Sequence, residues 1–261
     1  MLIEKRQQLI LDRLARDGAV GIAALANALG VSRETVRRDI NALSDRQLLR
    51  KTHGGALALH AAEPSLSARM EVNAAGKRRI GLAAAKLVPD GASLIIDCGS
   101  TTQAFARALL QHRRLTVYTN DLNVVRLLSR RNGNVVNLLG GQLLELEDAT
   151  AGWETVAQVA QYHVDFAFVG LSGIGADGTL TDYERAGAEL RSRMLSAAKA
   201  PVLLADHTKL GQVKPVTVAT ADQPVRLITD APLPADLRRR LAARRIDVLV
   251  AKPERRSRRD Q

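Results

Sequence analysis

Aromatic side chains make up only 3% of the 261 residues: three Phe, three Tyr and one Trp. That scarcity excludes a stacking platform for single-stranded nucleic acid, which needs several exposed rings along one groove. The core must therefore come from Leu, Val, Ile and Ala, within a hydrophobic content of 46%. Cysteine occurs once, at Cys98, so no intrachain disulfide can form. No Cys or His cluster has metal-ligand spacing, and neither a metal nor a cofactor is expected. No apolar run reaches the roughly 18 residues of a membrane helix. Together with the lack of a signal-peptide pattern, this points to a cytoplasmic protein without a membrane partner.

Charge is unbalanced: 38 Lys and Arg face 27 Asp and Glu, a formal net charge of +11. Such an excess favours a polyanionic partner. Part of it falls on Arg238, Arg239, Arg240, Arg244 and Arg245 and on the tail 252–261. These read as a solvated basic face and a disordered tail, with non-specific attraction to DNA as the sharper alternative.

The length predicts one large or two unequal domains. Residues up to about 57 read as short helices. Leu2, Ile3, Arg6, Leu9, Ile10 and Leu14 follow helical spacing until Asp17-Gly18. A second helix runs over 22–29 and ends at Gly30. Ser32 caps a third, with Val36, Ile40 and Leu43 on its buried side. A short hairpin follows at 48–57. Residues 58–75 read as a linker. Residues 76–251 alternate strand and helix, with apolar strand runs at 93–97, 115–119, 135–139, 165–169, 201–205, 227–229 and 247–250. Such runs belong to a parallel sheet covered on both faces, where ligands sit at the carboxyl ends of strands.

Helix, glycine turn, capped helix is helix-turn-helix order. Arg33, Arg37 and Arg38 fall toward the exposed side of the third helix. There they are placed to reach phosphates or guanine edges in a major groove, with Ser32 and Thr35 short enough to help. An ordinary helical bundle with a charged face is the plain alternative. Within it, Arg38 and Asp39 would form a structural ion pair.

In the second domain, a strand runs into Asp97, Cys98, Gly99, Ser100, Thr101 and Thr102, then a helix. Hydroxyls and free N–H groups at such a helix start can cradle an anion. Thr119-Asn120-Asp121, Gly140-Gly141, Gly170 with 172–175, and Asp206-His207-Thr208-Lys209 end other strands. Gathered at one sheet edge they would form one pocket. Lys209 would pair with a phosphate, and Asp97 or Asp206 would accept from sugar hydroxyls. Cys98 reads as a small buried residue, His207 as a loop polar group, and Trp153 as a packing residue or subunit contact.

The run from Val31 to Ile40, with Leu43, Leu49-Arg50 and His53-Gly54-Gly55-Ala56, closely resembles the DeoR family of regulators. Asp97–102, Thr119-Asn120, Leu139 to Gly141, 165–170, Ser172 to Ile174, Ala188 to Arg191, 206–209 and Thr229-Asp230 are similar to the same family. The resemblance implies a winged helix-turn-helix followed by an α/β sensor with a parallel-rich sheet like that of ribose-5-phosphate isomerase. By it, Ser32, Arg33, Thr35, Arg37 and Arg38 would read double-stranded operator DNA, with Arg50 and His53 in the wing. Gly173, Glu189 and Arg191 would join the effector pocket. Two departures stand out. Gln47 replaces a frequent Gly before the wing, and Arg191 replaces a frequent Lys. Arg keeps the charge but changes its reach and geometry.

The resemblance further implies a homodimer or homotetramer that represses a carbohydrate or polyol operon and is released by a phosphorylated sugar or polyol. A sugar-phosphate-binding protein or isomerase-like enzyme is the alternative. Related isomerases place an acidic pair after the strand matching 165–170. Here that stretch is Leu171-Ser172-Gly173. The general base is missing from its place, so no catalytic residue is assigned.

Overall fold

The computed structural model describes residues 2–17, 19–46, 48–52, 54–58, 63–144, 147–220 and 223–252. The chain forms two compact units, Met1–Pro64 and Ser65–Gln261. His53 and residues 253–261 of the tail lie outside the described residues.

The first unit runs α1 (Ile3–Asp17), β1 (Ala19–Gly21), α2 (Ile22–Leu29), α3 (Arg33–Asp45), β2 (Leu49–Thr52), β3 (Gly55–Ala58). Its core is the apolar stripe of each helix: Ile10 and Leu14, Leu25 and Ala26, and Val36, Ile40 and Leu43, closed by Leu49 and Ala56. α2 stops at Gly30, whose left-handed backbone (φ 64°) turns its N–H back onto Ala26 O. Ser32 then caps α3, its Oγ accepting from Thr35 N at 3.1 Å. The hairpin of β2 and β3 is present, and β1 pairs beside β3 in the order β1-β3-β2. Only three residues long, β1 shows no readable period. It passes so close that a Cβ on Gly55 would lie 1.9 Å from Val20 O.

The second unit continues α4 (Leu66–Glu71), α5 (Ala74–Ala85), β4 (Ser93–Ile96), α6 (Ser100–Ala108), β5 (Thr116–Thr119), α7 (Leu122–Leu128), β6 (Val135–Leu138), β7 (Gln142–Leu144), β8 (Ala149–Ala151), α8 (Trp153–Val159), β9 (Val164–Gly170), β10 (Gly173–Ile174), β11 (Leu180–Asp182), α9 (Arg185–Ser196), β12 (Ala198–Leu204), β13 (Val216–Thr217), β14 (Val225–Thr229), α10 (Ala235–Ala243), β15 (Ile246–Val250). The expected linker 58–75 thus holds α4 and the start of α5, and the second unit begins at Ser65. A six-residue helix is too short to show a period. It is held by Ser65 Oγ, which accepts from Ala68 N, and by burial of Leu66.

Seven strands form one sheet, ordered β15-β14-β12-β9-β4-β5-β6. Every pairing in it is parallel. Strand side chains alternate between two cores, as runs buried on both faces must. Ile95, Ala167, Val169, Leu203 and Leu227 face α8, α9 and α10. Leu94, Ile96, Phe168, Val202, Leu204 and Ile228 face α5, α6 and α7. The chain proceeds outward from β4 through β5 to β6, then returns to β9 on the other side of β4. The strand order therefore reverses between β4 and β9. In open parallel sheets, the crevice at the carboxyl ends of such a pair is where ligands bind. The short strands β7, β8, β10, β11 and β13 form two small antiparallel sheets beside it.

Candidate functional site

In the first unit, α3 buries Val36, Asp39, Ile40 and Leu43 and turns Ser32, Arg33, Arg37 and Arg38 to solvent, with Thr35 half-buried. Arg37 and Arg38 reach only weakly to Glu34, at 3.6 and 3.7 Å. Exposed i,i+3 and i,i+4 pairs of this kind cost little to open. The alternative pairing of Arg38 with Asp39 is not formed, because Asp39 turns into the core while Arg38 faces solvent. Asp39 is buried and accepts from Nε and Nη2 of Arg6 on α1, the latter at 3.1 Å. That pair ties α1 to α3 and leaves Arg38 outward, 81% exposed. Arg50 lies in β2, where only its backbone is described. Lys51, on the same strand, donates to Asn41 Oδ1 at 3.0 Å.

In the second unit, the loops after β4, β5 and β9 meet at the reversal point. Gly99, at φ 133°, turns the chain from β4 into α6. The first turn of α6 presents Ser100, Thr101 and Thr102, all buried. Thr102 Oγ1 donates to Gly99 O at 2.9 Å, whereas the hydroxyls of Ser100 and Thr101 have no protein partner among the described residues. Together with the unpaired N–H groups of a helix start, they can accept an anion.

Asp97 lies under this turn. It accepts from Gly170 N at 3.0 Å and from Arg191 Nε at 2.9 Å, bridging β4, β9 and α9. Arg191 also donates to Asp182, which accepts from Ser172 Oγ at 3.1 Å. Arg191 is thus buried between two carboxylates. Burial pushes the Asp97 carboxyl up despite Arg191, which opposes the shift.

Thr119 and Asn120 are buried beside the cradle. Thr119 Oγ1 accepts from Asp121 N. Asn120 Nδ2 donates to Thr150 O at 2.9 Å, while its Oδ1 is buried without a partner among the described residues. Asp121, which ends the same run, accepts from Gly99 N, from Gln103 of α6 and from Asn123 and Val124 N–H of α7.

Three candidate glycines serve close packing. A Cβ on Gly141 would lie 2.3 Å from Thr155 Oγ1, and one on Gly173 2.5 Å from Gln212 O. Gly140 donates to Gln158 Oε1 and accepts from Thr155 Oγ1, both on α8. Glu189 is exposed on α9 between buried Ala188 and Leu190. No bond joins it to the other candidates among the described residues.

A second cluster sits at the ends of β12 and β14. Asp206 caps a short 3-10 turn, His207–Lys209, through Thr208 N. Its Oδ1 also accepts from Asn73 at 3.2 Å, but its Oδ2 is buried without a partner among the described residues. Asp230 accepts from Asn73 at 3.0 Å, Arg79 at 3.3 Å and His207 Nδ1 at 2.9 Å. Burial pushes the Asp230 carboxyl up, but the bonds from Asn73 and His207 outweigh it and hold the group below its ordinary value. Asp206, His207 and Asp230 carry ligand atoms within 4.8 Å of one another, a trio that sequence spacing did not reveal. Lys77 is buried nearby and donates to Arg69 O. Burial pushes its ammonium down, Asp206 pushes it up, and Lys209 and Arg69 push it down. Cations from α4, α5 and the 206–209 loop therefore share this end of the sheet.

Asn73, Lys77, Arg79 and Asp182 do not stand out in the sequence, and Asp121 and Asp230, which fall in the runs 119–121 and 229–230, gain their roles only from the structure. Lys77 and Arg79 look like polar positions of an amphipathic helix, and Asn73 fell in the supposed linker. Only the Asp121 cap, one residue before the apolar run Leu122–Leu128, carried a local signal.

Residues 6–62 match the DeoR-like helix-turn-helix domain, and residues 72–231 match the DeoR C-terminal sensor domain. The chain is 37% identical over 205 residues to the glycerol-3-phosphate regulon repressor of Haemophilus influenzae, covering 78% of this chain and 80% of that one. To the Escherichia coli repressor of the same name it is 31% identical, covering 89% and 93%. To the transcriptional repressor GlcR of Bacillus subtilis it is 34% identical, covering 88% and 89%. Among solved structures, ribose 5-phosphate isomerase A of Methanocaldococcus jannaschii aligns at a TM-score of 0.39 and 21% identity, covering 53% of this chain and 55% of that one. The named relatives are regulators, and the exposed arginines of α3 lie within the matched DNA-binding domain. The chain belongs to the DeoR family and is a DNA-binding transcriptional repressor with a C-terminal sensor domain, not an enzyme.

Proposed function

We propose that this repressor acts in the cytoplasm as a homodimer or homotetramer and is released from its operator by a phosphorylated polyol or sugar. Ser32, Arg33, Thr35, Arg37 and Arg38 contact the operator, joined from the wing by Arg50 and His53. The effector sits at the reversal between β4 and β9. Its phosphate rests on Gly99, Ser100, Thr101 and Thr102, with Lys209 as counter-charge. Its hydroxyls donate to the unpartnered oxygens of Asn120 and Asp206. Asp97, Thr119 and Arg191 hold the floor, and Gly140, Gly141 and Gly173 permit the close packing around it. Glu189, exposed on α9, is the least supported member of the set.

One observation supports the reading: a helix start with two hydroxyls that have no protein partner among the described residues lies at the strand-order reversal. The names of two relatives make glycerol 3-phosphate the first compound to try.

Release requires that the ligand bind the DNA-free arrangement better than the DNA-bound one. The test joins a thermal-shift screen of polyol and sugar phosphates with anisotropy on a duplex selected from a random library. A true effector raises the melting temperature and weakens DNA binding by about tenfold or more. If no phosphorylated compound changes either quantity, the sensing role is wrong.

A further inference from the structure

A cleft of about 360 Å³ opens between α4, α5 and α6 of the second unit. Small-ligand sites run from roughly 300 to 1,000 Å³, so it is large enough for a small molecule. Its wall is mainly apolar, with Met70, Leu82 and Ala104 among the lining residues. Lys77, Arg78 and Arg107 also line it, and among the described residues no carboxylate does.

Lys77 is the unusual member. It is only 3% exposed, and among the described residues its ammonium bonds only to a neutral carbonyl, Arg69 O. A buried cation is ordinarily matched by an anion. Asp206 acts on Lys77 only through space, and that carboxylate is itself held by Asn73 and Thr208. Arg107 stands exposed at the rim and forms no ion pair among the described residues. The cleft therefore combines an apolar floor with three cations, of which Lys77 and Arg107 have no hydrogen-bonded carboxylate among the described residues.

We propose that this cleft binds a small amphipathic anion, with its acidic head between Lys77 and Arg107 and its aliphatic body on Met70, Leu82 and Ala104. A polyhydroxylated effector fits the polar strand ends, whereas this floor offers its hydroxyls no acceptors. Ser100 lines the cleft and also begins α6, so the two sites are neighbours with different chemistry.

The test uses octyl phosphate as the amphiphile and inorganic phosphate as the head alone, titrated calorimetrically into the full chain. Octyl phosphate is expected to bind one per chain, at least tenfold more tightly than inorganic phosphate. Arg107→Glu, an exposed change that should leave melting unaltered, is expected to weaken octyl phosphate at least tenfold. Leu82→Asn is expected to remove the advantage of the octyl chain and leave inorganic phosphate unchanged. Equal affinity for the two probes, or unaltered octyl phosphate binding in Arg107→Glu, would overturn the proposal. So would one-for-one displacement of octyl phosphate by glycerol 3-phosphate, which would make the cleft part of the effector site. Failure of the effector screen with octyl phosphate still bound would count against the sensing role alone.

Discussion

At the residue scale, the buried ion pairs decide most. Removing one partner leaves a charge stranded in a poorly solvated place, at about 3–5 kcal/mol. Asp39→Ala removes the carboxylate that ties α1 to α3 and should lower the urea midpoint of the first unit. The double change Arg6→Met with Asp39→Leu should recover most of the loss, since neither charge then remains. The partners could not be read in advance. Arg6 lies 33 positions from Asp39, and Arg191 lies 94 from Asp97. Asp97 and Arg191 stand in motifs legible in the sequence, whereas Asp182, the second carboxylate on Arg191, does not. A carboxylate at the end of a three-residue strand has no local mark. Ser32, by contrast, was legible as a cap, because its partner Thr35 is three residues away.

At the element scale, two devices are open to test. Gly30 ends α2 in the left-handed region, where a Cβ is strained. Gly30→Ala should cost about 1 kcal/mol, and since nothing crowds that position, the loss comes from backbone conformation. The second device joins β4, β9 and β12 at their amino ends. Ser93 N and Oγ and Lys199 Nζ all donate to Asp165, holding its carboxyl down at about 2. The folded value is below the ordinary ~3.9 of an unfolded aspartate. Its contribution to stability is therefore present above about pH 4 and fades as pH falls toward 2. Asp165→Asn should flatten the acid limb of the melting curve between those values and leave the neutral limb parallel to wild type. The long elements were readable because their periods span several turns or a full buried run. The short ones, β1, β7, β8, β10, β11, β13 and α4, exist through pairing and burial and carry no period of their own.

At the scale of the whole molecule, each unit has its own core. Changes on the exposed face of α3 should accordingly leave the sensor intact. Arg37→Ala with Arg38→Ala should abolish specific DNA binding and retain the ligand-induced rise in melting temperature. Loss of both properties would mean the change unfolds the chain. Wild-type DNA affinity at equal salt would remove α3 from the interface. Affinity should also fall with salt, with a log–log slope of about −0.9 for each phosphate contacted, and the double variant should show a shallower slope. What the sequence determined by itself were the features set by near neighbours: the capped α3, the Gly30 turn, the alternation of strands and helices, and the loop leading into α6. Such signals need only residues three or four apart, or one apolar run. The tertiary structure decided which strand ends meet. By returning the chain from β6 to the far side of β4, it set Gly170 and Arg191 on Asp97. It also drew Asn73, Lys77 and Arg79 of the supposed linker and its first helix onto the ends of β12 and β14. Those contacts depend on strand order, a property of the whole sheet that no local stretch encodes.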